Sequence, residues 1–65
     1  MNRNKIFAFV FEIKPEVKSI GEVMRQFQYY KVNLGFGAKL ILVTKTKGLK
    51  PIFESQGFFV VEYFD

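Results

Sequence analysis

The 65 residues predict a small α/β fold, a β-α-β-α-β unit built on a three-stranded, mainly parallel sheet. Three observations predict it. Runs rich in β-branched and aromatic residues occur at 5–13, 39–44 and 58–64. Apolar residues at helical spacing fill the first gap, and a shorter helical stretch fills the second. Strands joined through helices pair in parallel, with right-handed crossovers.

The first strand reads as residues 5–13. Alternation puts Phe7, Phe9, Phe11 and Ile13 on one face, and Ile6, Ala8, Val10, Glu12 and Lys14 on the other. Both faces are apolar up to Glu12, the pattern of a central strand covered on two sides. Pro15 stops the strand. Ser19 and Glu22 then have the S-x-x-E spacing of a capping box. Ile20, Val23, Met24, Phe27 and Tyr30 or Lys31 recur at helical spacing, and the helix is expected to end between Lys31 and Asn33, where N-L-G-F-G supplies turn chemistry. K-L-I-L-V-T, 39–44, is a second buried strand. Residues 49–56 read as a short helix with Leu49, Ile52 and Phe53 as its apolar stripe and Gly57 as its stop. F-F-V-V-E-Y-F, 58–64, is the third strand.

In strand order 1-2-3 both right-handed crossovers lie on the same side of the sheet. The opposite face is then uncovered although its residues are apolar. Self-association through that face or through a sheet edge is the expected consequence. Composition points the same way. Apolar residues make up 49% of the chain and nine are Phe, more than a core of this size readily hides.

No cysteine or histidine occurs. That excludes a Ser-His-Asp triad, a Cys-His pair and an ordinary zinc site. L-G-F-G-A-K precedes a strand and lacks the G-x-G-x-x-G pattern, so it is no dinucleotide site. The net charge of +4 is compatible with nucleic acid or an anionic surface. The longest apolar run, 6–11, is far short of the ~20 residues of a membrane helix. The start M-N-R-N-K leads straight into strand-like sequence and lacks a signal-peptide cleavage site, so an intracellular, cytoplasmic protein without a membrane partner is expected.

Glu12 and Lys14, two apart on a strand, project from the same face at its C-terminal end, where open α/β sheets place ligands. A carboxylate there suits Mg²⁺, and a lysine suits developing negative charge on phosphate. The plainer reading is a polar strand end meeting solvent. Gln26 and Tyr30, four apart on the following helix, share a face. Tyr30 also reads as the edge of the core, and Gln26 as ordinary helix surface.

This arrangement of E-x-K, a short loop, a helix with Q-x-x-x-Y and an apolar strand resembles the C-terminal half of the PD-(D/E)XK nuclease superfamily, in its RecB-like and resolvase-like branches. The resemblance runs from about Phe9 to Tyr63 and implies a restriction-endonuclease-like partial core. It implies Glu12 and the main-chain carbonyl of Ile13 as Mg²⁺ ligands, Lys14 as the catalytic lysine, and Gln26 and Tyr30 as supporting residues. Lys18, Arg25, Lys45 and Lys47 are the basic residues that would meet nucleic acid, DNA by the same resemblance; each also reads as solvated surface. The family pattern includes an acidic residue on the preceding strand, and no Asp or Glu precedes Glu12. The expected protein is therefore nucleic-acid-associated and inactive or incomplete alone. As an enzyme it would be a Mg²⁺-dependent phosphodiester hydrolase completed by another chain that supplies the missing N-terminal half. The alternative is a small α/β interaction module that acts as an oligomer without nucleic acid.

Overall fold

Parallel strands need long crossovers, and this chain supplies two helical ones. The computed structural model describes residues 8–34 and 37–64. The elements are β1 (Ala8–Ile13), α1 (Ile20–Leu34), β2 (Ala38–Thr44), α2 (Lys50–Glu54) and β3 (Phe59–Glu62). The sheet has the order β1-β2-β3, and both strand pairs are parallel. The expected α/β class and sheet order are therefore observed. Expectations for Lys5, Ile6 and Phe7, and for Gly35 and Phe36 in the turn after α1, lie outside the described residues.

α1 starts where its cap predicts. The Glu22 backbone N–H donates to Ser19 Oγ at 3.3 Å, satisfying one of the orphan amides of the first turn. Glu22 in the first turn and Lys31 in the last complement the helix dipole. α2 is shorter than the 49–56 expected, because the chain turns out of the helix early. The Phe58 N–H donates to the Phe53 carbonyl at 3.1 Å and the Gly57 N–H to the Glu54 carbonyl at 3.0 Å. That is the bond pair of a Schellman motif, with Gly57 as its left-handed residue at φ +87°. So brief a helix buries Leu49 and Phe53, four apart, and leaves Ile52 on its flank, exposed.

One face of the sheet carries the core. Val23 and Phe27 of α1, Leu49 and Phe53 at α2, and Leu40, Leu42, Phe58 and Val60 form one buried cluster. Val10, Val17, Met24 and Tyr30 pack at its margin. The Phe27 ring meets Phe53 at 5.8 Å and Phe58 at 5.2 Å, both edge-on. These are the separations and tilts that aromatic quadrupoles favour. One side chain thus ties α1 to α2 and to the start of β3.

The other face is bare. β1 is an edge strand, not the doubly covered central strand that its composition suggests; β2 holds the centre. Phe9, Phe11 and Ile13 are 63, 59 and 66% exposed, and Phe59 and Val61 on the far strand are about half exposed. The reason is topological: both helices pack on the opposite face, so among the described residues the second apolar face of β1 has no layer to meet.

Gly57 gives a direct check on the α2 exit. A Cβ built there meets only Lys31 Nζ at 4.0 Å, an ordinary contact, so any cost comes from the backbone. Gly57→Ala is expected to lower stability by roughly 1–2 kcal/mol, read as a lower urea midpoint with an unchanged m-value.

Candidate nucleic-acid interface

The C-terminal end of the sheet is where the first crossover leaves β1, and backbone bonds fix its geometry. The Lys14 N–H donates to the Val43 carbonyl at 2.9 Å, extending the ladder one step past Ile13. The Pro15 carbonyl then accepts from the Lys45 N–H at 3.0 Å and from Thr44 Oγ1 at 3.2 Å. Thr44 is fully buried, and its Oγ1 also accepts the Thr46 N–H at 3.1 Å. The Val17 N–H donates to Thr46 Oγ1 at 2.9 Å. Thr44 at the end of β2 and Thr46 in the loop after it thus hold the loop after β1. In the loop after β2, the Gly48 N–H donates to the Glu62 carboxylate at 3.2 Å, fastening that turn to β3.

Glu12 pairs in register with Leu42, and in a parallel ladder such partners project to the same face. Glu12 is therefore on the helix-covered side of the sheet, the side that carries α1, and is half-buried. Lys14, two residues on, follows the same alternation and is also half-buried. It lines an open groove of about 920 Å³ between the end of β1 and the outer flank of α1. Gln26 and Arg25 line the same groove, with Gln28, Tyr29 and Asn33 further along the helix. Glu22 contributes the one carboxylate of the lining, opposite two cations.

Lys14 and Gln26 are thus brought together, whereas Glu12 and Tyr30 are not part of that lining. Tyr30 packs at the margin of the core, with its ring 6.3 Å from Phe27. The Ile13 side chain projects to the bare face, away from the groove. Of the other basic residues, Lys18 is exposed in the loop before α1. Lys47 stands over the Phe64 ring at 4.3 Å, a cation–π contact. Lys45 is half-buried at the end of β2. Arg25 alone of these four lines the groove.

The groove residues that sequence reasoning passed over are Gln28, Tyr29 and Asn33. The signal for Tyr29 and Asn33 is the stripe 22, 25, 26, 29, 33, which recurs at helical spacing beside the core stripe 23, 27, 30. Asn33 is held in place by donating to the Tyr29 carbonyl at 2.8 Å, and the Tyr29 ring is 67% exposed.

Mg²⁺ requires a near-octahedral set of oxygen ligands. Among the described residues no group of three or more acidic, His or Cys side chains is placed to hold a metal. Glu12 and a main-chain carbonyl fall short of that set, so no chemical step is assigned to the ion. Among the described residues no helix is long and apolar enough to cross a membrane. Comparison with protein-family models, with curated proteins and with solved structures finds no match.

Thr44→Val removes the hydroxyl between the two loops while keeping the side chain's shape. It leaves the Thr46 N–H without that acceptor, and a cost of about 1–3 kcal/mol is expected in urea denaturation.

Proposed function

We propose that the chain is a nucleic-acid-associated protein that grips its ligand through the groove beside α1 and does not cleave it alone. The observation that carries this reading is the convergence of Lys14 and Gln26, from separate elements, on one groove with Arg25 and Tyr29. Two cations suit phosphate oxygens. The amides of Gln26, Gln28 and Asn33 offer donors and acceptors, and the exposed Tyr29 ring offers a platform on which a base can stack. Lys14 and Glu12 lie on the α1 side of the sheet, though Glu12 is not in the lining of the groove. DNA is the nucleic acid which the nuclease resemblance implies, and an intracellular, cytoplasmic setting belongs to the same proposal. A weakly held Mg²⁺, completed by phosphate and water or by a second chain, belongs to it too.

The bare sheet face favours a second reading, an interaction module that works as an oligomer without nucleic acid. Salt separates the two. Binding a phosphate backbone releases counterions, so affinity falls steeply as salt rises, whereas an apolar interface responds weakly. A short single-stranded DNA is expected to bind at low salt. Lys14→Ala and Arg25→Ala should each weaken binding and lower the log–log salt slope by about 1. Absence of binding at low salt, or variants that bind like wild type, overturns the groove reading.

Purified protein incubated with DNA and Mg²⁺ is expected to leave the DNA intact, since an activated water needs a firmly held metal. Mg²⁺-dependent cleavage that disappears in Glu12→Gln would show that the chain completes a site after all.

A further inference from the structure

The bare face of the sheet is a more pronounced feature than the groove, and its argument does not depend on nucleic acid. Phe9, Phe11 and Ile13 of β1, Ile41 and Val43 of β2, and Phe59 and Val61 of β3 share this face by register. Among the described residues its lining carries no acidic side chain, and its one charge is Lys39, at the N-terminal end of β2. We propose that this face is the interface of a homodimer, in which a second copy of the chain packs sheet against sheet about a two-fold axis.

Three observations select a second copy as the occupant. The first is topology. All-parallel sheets are covered on both faces, and here the chain's two helices cover only one. The second is area. Phe9, Phe11, Ile13, Phe59 and Val61 are 63, 59, 66, 46 and 48% exposed. For side chains of this size that is about 500 Å² of apolar surface, near the top of the range for the largest patch on a soluble monomer. Pairing two such faces buries roughly 1,000 Å², the low end of what a specific interface needs, so association at micromolar concentration is expected.

The third observation is relief. Ile41, 9% exposed, is recessed between the projecting rings of Phe11 and Phe59. A second copy offers the same ridge, hollow and ridge, so a ring of one copy seats over the Ile41 hollow of the other. The contact is isologous, as a two-fold requires. Stacked sheets lie about 10 Å apart, the spacing at which inner side chains interdigitate. Lys39 does not obstruct this. Its ammonium lies 5.7 Å from the Phe59 ring centre, and at the rim its stem covers apolar surface while the charge stays wet.

Sedimentation equilibrium of the full chain without nucleic acid tests the proposal. Wild type is expected at twice the chain mass at tens of micromolar. Phe11→Lys puts a charge on a ridge of the interface beside Ile41, on a side chain already exposed in the single chain. It is expected to weaken dimerisation by roughly 100-fold or more and to halve the measured mass, with the far-UV circular dichroism of a folded protein retained. Val61→Lys, on the opposite edge strand of the same face, is expected to do the same, and serves if Phe11→Lys does not fold. Ile52→Lys, the same chemical change on the helical side, is expected to leave the mass at two chains. A monomeric wild type overturns the proposal by assigning the face to another occupant. A dimer that survives both Phe11→Lys and Val61→Lys overturns it by assigning association to a sheet edge. Neither result bears on DNA binding, which is measured separately.

Discussion

Two helical crossovers of one hand, between strands laid side by side in chain order, must fall on the same face of the sheet. The rest of this small protein follows from that constraint. The core can form on only one side, so α1 and α2 share it and have to pack beside one another. Phe27 meets the requirement by reaching Phe53 and Phe58 together. The opposite face keeps the apolar residues that parallel strands carry on both sides, but has no helix to meet them.

The same constraint gathers the strand ends. Both crossovers leave from the C-terminal edge of the sheet, so the loops after β1 and β2 run side by side there. The first loop contributes Val17 to the margin of the buried cluster, and the second contributes Leu49 to the cluster itself. Hydrogen bonds join the two loops to one another. Thr44, wholly buried, reaches the Pro15 carbonyl, and Thr46 receives the Val17 amide. A loop held in this way fixes the point at which α1 begins, and so fixes which flank of α1 faces Lys14.

Much of this was legible in the sequence, and the exceptions have physical causes. The three strands, the Ser19 cap and the uncovered face follow from periodicity and connection hand, which are local or topological properties. The length of α2 was not legible, because it depends on where Phe58 turns back to satisfy the Phe53 carbonyl. Coverage of β1 was misread from composition alone, since an apolar face records what a strand can bury and not what the chain brings to it. In the candidate site, Lys14 and Gln26 line one groove, whereas Glu12 and Tyr30, named with them from the sequence, are not in its lining. Helical spacing put Tyr30 at the edge of the core, where it packs, and passed over Tyr29, the exposed ring that lines the groove. The two tyrosines differ by one helical step of about 100°, and the helix phase is set by how Phe27 enters the core. Thr44 and Thr46 read simply as strand-favouring residues, because their hydroxyl partners are far away in sequence.

Binding and cleavage make different demands on such a site, which is why the proposed function includes the first and not the second. Phosphate recognition tolerates displacement. A lysine or arginine acts through a long-ranged charge on a flexible stem, and contributions from several such groups accumulate. Lys14 and Arg25 meet that demand from separate elements, with Tyr29 and the amides of α1 beside them. Metal-assisted hydrolysis tolerates little. It needs several oxygen ligands fixed at bonding distance and an attacking water held in line. Among the described residues, three strands and one layer of two helices offer little scaffold to carry such a set. In the face-to-face dimer proposed above the helices become the outer layers, so two grooves point away from one another into solvent. Pairing then covers the apolar face without occupying either groove, and the sheet that the crossovers leave half-dressed separates the surface proposed for a second copy from the one proposed for nucleic acid.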